Sequence, residues 1–244
     1  MKVSVVMPVF NTRAYFLLLA VQSVLRQTYT PLELIIVNDG NTSKETIRQL
    51  ESIACYAEIG YSLVPIRIIN QENKKISGAL NAGIRDMTGD WWAGCASDDV
   101  WYPDKLKEQV AFIEQHPEAR VLYCDWDFID NKGNQLRTYQ EPGFKDRMEA
   151  GRYIINDYFG NWSGMMIHHE VFNDIGLFNE DYPTREDFEM NIRILTKYMM
   201  HRVPKTLFGY RVHGQQLTNT AKKEMQNKYR IMARNLAIEY FGDK

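Results

Sequence analysis

Val3-Ser4-Val5-Val6-Met7-Pro8-Val9-Phe10-Asn11 lies at the start of the sequence and sets the reading of the fold. Val3 to Met7 is apolar but for Ser4, the pattern of a strand covered on both faces. Pro8, Asn11 and Arg13 stop the run, so it reads as a first strand and not as a signal peptide. Working outward, Arg13 to Gln27 carries Leu17, Leu18, Val21, Val24 and Leu25 on one helical stripe. Leu32 to Val37 is a second buried strand ending in Asn38-Asp39-Gly40, and Ser43 is placed to cap a helix running through Cys55. Ile66 to Ile69, Ser77 to Met87 and Trp91 to Ala96 add strand, helix and strand; Pro103 suits the opening of the next helix. Such alternation predicts an α/β fold around a mostly parallel sheet.

The pattern changes near residue 120. Arg120 to Asp127 and Gln135 to Tyr139 flank Asn131-Lys132-Gly133-Asn134, which predicts a hairpin. Helices are expected over 148–156 and 185–198, and short strands over 165–168 and 206–212. Without a linker or a repeat, the 244 residues read as one domain over 1–220 with a helical tail over 221–244. Hydrophobic residues make up 45%, enough for a sizeable core, and a net charge of −2 leaves no basic coat for nucleic acid. Cys55, Cys95 and Cys124 are too scattered for a disulfide framework or a zinc site and read as reduced, small apolar residues. No segment reaches the ~20 apolar residues that cross a bilayer, so the expectation is a cytoplasmic protein.

In a parallel sheet, ligands bind beyond the carboxyl ends of the strands. Three such ends are polar here: Pro8-Val9-Phe10-Asn11, Asn38-Asp39-Gly40 and Ser97-Asp98-Asp99. Neither GxGxxG nor GxxxxGK[ST] occurs, which disfavours dinucleotide oxidoreductases and P-loop NTPases. Phosphate charge then needs another cation, and adjacent carboxylates can hold Mg²⁺ or Mn²⁺ against a substrate phosphate. Taken alone, Asp98-Asp99 equally suits the start of a turn. Trp91-Trp92 suits core packing better than a stacking wall. Asp125-Trp126-Asp127 also sets two acids on one strand face, and reads as a solvated or substrate-edge strand rather than a metal site.

Over roughly residues 3–215 these motifs follow an order that resembles the family 2 glycosyltransferases, inverting enzymes of the GT-A fold. The resemblance implies a Rossmann-like nucleotide-binding half over 1–119 and a smaller mixed acceptor half over 120–220. Val3 to Asn11 resembles the opening strand and loop, implying that Pro8, Phe10 and Asn11 cradle the nucleotide base. Ile36 to Gly40 is similar to a Val-Asp-Asp-Gly segment, with Asn38 for the first acid and Asp39 implied as the uracil contact. Asn73 to Ile84 resembles Asn-Gly-Gly-x-Ser-x-Ala-Arg-Asn-x-Gly-Ile, here with Lys74-Lys75 for the glycines and Leu80 for the arginine. Lys74 and Gly78 are thereby implied donor contacts. Ser97-Asp98-Asp99 with Pro103 resembles the DXD region, which implies Asp99 as the metal ligand and Asp98 as a sugar or ribose contact. Arg185-Glu186-Asp187 resembles the Glu-Asp motif, with Asp187 as catalytic base. Tyr210-Arg211-Val212-His213-Gly214 is similar to the closing segment whose histidine, His213, completes the metal or diphosphate site.

The chemistry asks for that division of labour. Inverting displacement needs a base at the acceptor hydroxyl, and a divalent ion neutralises the leaving diphosphate without taking a proton. The resemblance thus implies a UDP-linked sugar donor, a glycan or lipid-linked acceptor, and Mn²⁺ or Mg²⁺ as cofactor. Read singly, Asp187 is a first-turn acid favoured by the helix dipole, His213 a hydrogen-bonded histidine, and Trp162 either core or an acceptor platform. The tail mixes Lys222, Lys223, Lys228, Arg230 and Arg234 with Met225, Tyr229, Met232, Leu236 and Tyr240. A helix packed on the domain, or on a homodimer mate, competes there with one lying at the inner face of a membrane. Two other functions compete overall: a sugar-nucleotide-binding module without turnover, and a sugar nucleotidyltransferase, whose glycine- and basic-rich loop is missing from Val9 to Tyr15.

Overall fold

The computed structural model describes residues 1–30, 32–60, 62–214, 216 and 223–242. Strand β1 (Val3–Val9) is buried along its whole length. Its alternate residues serve two cores. Val3, Val5, Met7 and Val9 join Leu17, Val21 and Val24 of α1 (Ala14–Leu25) on one face. Val6 joins Ala79, Leu80 and Ile84 on the other, from the helix Lys75–Asp86, which is α3. Full burial of each such aliphatic side chain stabilises the fold by roughly 1.5–3 kcal/mol. Gly83 lets α3 lie close, because a Cβ there would stand 2.3 Å from Val6 Cγ1.

β2 (Leu32–Asp39), β3 (Ile66–Gln71) and β4 (Trp91–Gly94) extend the sheet in the parallel order β3-β2-β1-β4. Between β2 and β3, α2 (Lys44–Glu58) starts at Ser43, whose hydroxyl accepts the Thr46 amide. Beyond β4 the sheet turns mixed. β8 (Met166–His168) runs antiparallel to β4 and to β6 (Val121–Ile129); β9 (Met200–Arg211) is parallel to β6, and β5 (Val100–Trp101) ends the sheet against β9. β7 (Gln135–Tyr139) pairs with β6 as the predicted hairpin. Among the described residues, nine strands thus form one sheet, a GT-A type α/β fold with a parallel first half and a mixed second half.

The remaining helices are α4 (Lys105–Gln115), α5 (Arg147–Ile154), α6 (His169–Ile175), α7 (Glu186–Lys197) and α8 (Lys223–Phe241). Two elements escape the sequence pattern: β5 and α6 are too short for a period to register. β9 begins earlier than 206 because Pro204, which has no N–H, sits where its pairing with β6 slips between Val203 and Thr206. Trp91 and Trp92 are core, and all three cysteines are free thiols, Cys95 and Cys124 buried and Cys55 exposed.

α8 packs on α5 and α7 through Ala233, Ala237 and Phe241, spaced four apart. The small alanines allow close approach, and Phe241 covers Gly151, where a Cβ would stand 2.4 Å from its ring. Met232 and Tyr240 stay exposed. Ala221, Lys222, Asp243 and Lys244 of the expected tail lie outside the described residues. Among the described residues no helix is long and apolar enough to cross a membrane.

Candidate active site

The carboxyl ends of β1, β2 and β4 open into a cleft of about 770 Å³. Residues 158–163 and 183–187 and the segment after β9 close its other sides. Asn11 (φ 51°), Lys75 (φ 64°) and Arg185 (φ 63°) are the non-glycine residues with positive φ among those described, and all three line the cleft. Left-handed backbone costs such a residue about 1–2 kcal/mol, and strain of this kind gathers at functional sites.

At the β1–β2 end, Pro8 is buried in the floor and Phe10 stands half exposed at the rim. The Asn11 side-chain carbonyl accepts the Thr42 and Ser43 amides at 2.8 and 2.9 Å, tying the β1 loop to the start of α2. Asp39 Oδ1 accepts the Lys74 amide and the Gln71 side chain, each at 2.7 Å. Gly40 (φ 70°) makes that approach feasible: a Cβ there would lie 2.7 Å from Asn73 N. Asn38, standing where the quoted segment has an acid, donates to Asn70 at 2.8 Å.

Lys74 and Gly78 do not line the cleft; Asn73 and Lys75 do. Gly78 is buried within α3, and a Cβ on it would stand 2.4 Å from Lys74 Cβ. Its lack of a side chain makes room for Lys74. Lys75 takes the left-handed backbone at a position where the quoted motif has glycine.

The two acids after β4 have different surroundings. Asp98 is partly exposed, and its Oδ2 lies 2.9 Å from His213 Nε2. Asp99 is 1% exposed, and its Oδ1 accepts the Arg211 amide at 3.0 Å. Burial and the Asp98 charge raise the Asp99 carboxyl well above the ordinary range, against the pull of the Arg211 amide. Arg211 is itself buried; it donates to Asp98 O and Asp130 O at 2.9 Å each and lies over Phe16. His213 packs on the other flank of that ring, 5.1 Å between centroids. The structure therefore brings His213 to Asp98, and not to Asp99. Asp99 Oδ2, Asn73 Oδ1 and Arg185 Nε are buried without a hydrogen-bond partner among the described residues, and all three belong to cleft-lining residues.

Asp187 sits in the first turn of α7, after Arg185 has turned the chain. Its Oδ2 accepts the Tyr158 hydroxyl at 2.6 Å, and Tyr158 also donates to Gly160 O at 3.0 Å. Burial raises the Asp187 carboxyl above its ordinary 3.8, with Tyr158 and Arg185 opposing. Burial and the Asp187 charge push Glu186 up to about 8. Two adjacent carboxyls in one buried turn cannot both ionise cheaply. Of the two carboxyls, Asp187 receives the Tyr158 hydroxyl, which favours its ionised form.

Trp126, Phe128 and Tyr210 form an aromatic wall of the cleft, with Trp162 also lining it. The sequence reading stops at the flanking acids and misses this wall, although strand alternation from Asp125 would have given Trp126 and Phe128 the opposite face. Of the two readings, solvated or substrate-edge strand, burial of Asp125 and Asp127 rules out the first, while Trp126 and Phe128 set the strand at the cleft. Asp125 pairs with Arg202 at 2.6 Å, and Asp127 accepts the Tyr102 and Thr138 hydroxyls, each at 2.6 Å.

The sheet order and the cleft beyond its strand ends are those of a GT-A type fold. The family model described as Glycosyl transferase family 2 matches residues 4–176, and the chain belongs to that family. An uncharacterized glycosyltransferase of Rickettsia typhi is 30% identical over 232 residues, 92% of this chain and 68% of that protein. Another, of Rickettsia felis, is 29% identical over 218 residues, 88% of this chain and 35% of its own length. The chain thus spans about a third of that relative. Among solved structures, S. aureus TarS in complex with UDP-GlcNAc superposes on 100% of this chain and 68% of its own, with a TM-score of 0.74 at 17% identity. That is a likeness of fold.

Proposed function

We propose that the cleft binds a UDP-linked sugar and transfers the sugar, with inversion, to a hydroxyl of a glycan or lipid-linked acceptor. One observation carries this reading: a single cleft holds two acidic centres on different elements, Asp98 with His213 and Asp187 with Tyr158. The TarS neighbour, solved with UDP-GlcNAc, supports a UDP-linked donor.

Asp187 is the base. As the acceptor oxygen bonds the anomeric carbon, the bond from that carbon to the diphosphate breaks and its electron pair leaves with the nucleotide; the acceptor proton passes to Asp187. Tyr158 holds the carboxylate in place through its hydroxyl. The aromatic wall of Trp126, Phe128 and Tyr210 suits the apolar face of a sugar ring.

Asp98 and His213 are the ligands proposed for a divalent ion, which when bound neutralises charge on the departing diphosphate. Their carboxylate oxygen and imidazole nitrogen are donors that Mn²⁺ or Mg²⁺ accepts. The family motif gives this role to Asp99; the burial of Asp99 and its engagement by the Arg211 amide favour Asp98.

Asp187→Asn tests the reading. Transfer is expected to fall by about 10²–10⁴-fold while UDP affinity holds; unchanged transfer overturns the assignment. A panel of nucleotide sugars, scored by thermal stabilisation, identifies the donor.

A further inference from the structure

A second cavity, of about 450 Å³, adjoins the cleft and shares Tyr158 and Arg185 with it. Its other walls come from the segment after α5 and from α8, which contributes Arg230, Ile231 and Arg234. Three arginines therefore line a space in which Asp157 is the one acidic residue. Asp157 is already engaged, accepting the Tyr153 hydroxyl at 3.1 Å and the Tyr158 amide at 2.9 Å. Arg234 Nε donates to Ile155 O at 3.0 Å, which anchors that guanidinium at the wall. Arg230 and Arg234 are exposed, and Arg185 Nε is buried without a hydrogen-bond partner among the described residues.

Planar guanidinium forks match tetrahedral oxyanions and bind phosphate through paired hydrogen bonds. Three of them around one cavity suit a phosphate better than a neutral sugar, which offers no charge to pair with them. The position of the cavity decides what it serves. Tyr158 separates it from the cleft and holds Asp187, so an anion bound there stands beside the base.

We propose that this cavity is an acceptor subsite for a phosphate group, and that the acceptor is a phosphate-bearing glycan or lipid. The word acceptor rests on the reading of Asp187 as base; phosphate binding at the three arginines stands without it.

The test fills the donor cleft with UDP and Mn²⁺ and titrates the full chain with glycerol phosphate. In parallel, the protein is sedimented with phosphatidylglycerol vesicles, with phosphatidylcholine vesicles as neutral control. Saturable binding is expected, weakened about ten-fold or more by Arg230→Gln and Arg234→Gln together, with UDP affinity unchanged. Arg230→Gln alone is expected to weaken it several-fold, and serves if the double variant fails to fold. Arginine-dependent binding to anionic vesicles alone supports the proposal with a lipid headgroup as the source of phosphate. Glycerol phosphate binding alone supports it with a soluble phosphoglycan. Binding of neither, or binding indifferent to both arginines, overturns it. Should UDP itself not bind, the donor reading fails, and the same titrations run without nucleotide still decide the phosphate site.

Discussion

His213 Nε2 lies 2.9 Å from Asp98 Oδ2, whereas Asp99, the next residue, is withdrawn into the protein and accepts the Arg211 amide at 3.0 Å. Adjacent carboxylates are thereby given different work. Both line the cleft, but one has an imidazole beside it and the other holds the end of β9 against the loop that carries its neighbour.

That difference is measurable as stability. Asp99→Ala leaves the Arg211 amide buried and unpaired, and is expected to cost about 1–3 kcal/mol in denaturant unfolding without metal. Asp99→Asn keeps an acceptor and is expected to cost less. Asp98→Ala, at a partly exposed side chain, is expected to cost under about 1 kcal/mol. Equal losses for the two alanine variants would contradict the division.

The base makes a prediction in pH. Asp187 must be ionised to accept a proton, and burial raises its carboxyl above 3.8. Transfer is therefore expected to rise with pH through that raised value and to fall on the acid side. Tyr158→Phe removes a hydrogen bond that favours the carboxylate, so the acid limb moves to higher pH. The rate lost on the acid limb, about ten-fold for each unit by which the carboxyl is raised, is expected to return as pH is raised. A pH–rate profile checks this; a loss of equal size at every pH would mean that Tyr158 only supports the fold.

Lys75 carries a side chain on left-handed backbone at the cleft wall. Lys75→Gly relieves that strain, and is expected to raise stability by about 1 kcal/mol while weakening UDP binding through loss of a cation. Thermal unfolding and nucleotide titration should move in opposite directions.

Much of this was legible in the chain. The apolar run of Val3 to Met7, the cap at Ser43 and the hairpin flanking Gly133 each rest on local pattern, and the fold follows from them. Asp39, Asp98, Asp99, Asp187 and His213 are singled out by the order of motifs that resembles family 2 glycosyltransferases, since singly Asp187 reads as a first-turn acid and His213 as a hydrogen-bonded histidine. Both acids line the cleft, but that Asp98 takes the His213 ring and Asp99 the Arg211 amide could not be read, because adjacent turn residues carry no period. The answer comes from Arg211, 112 residues away. The exchange of Lys74 for Lys75 at the cleft has a similar cause, a single positive φ at the start of α3. The arginine-lined cavity is further from the sequence still, since it exists only where α8 docks beside the segment after α5.

The central claim is that the cleft holds a nucleoside diphosphate through a metal centred on Asp98 and His213. Calorimetric titration of UDP with Mn²⁺ and with chelator, in wild type, Asp98→Asn and Asp99→Asn, tests it most directly. Binding about ten-fold or more tighter with Mn²⁺ is predicted for wild type, with that advantage kept in Asp99→Asn and lost in Asp98→Asn. Equal affinity with and without the metal in wild type, or an advantage lost in Asp99→Asn and kept in Asp98→Asn, would contradict it.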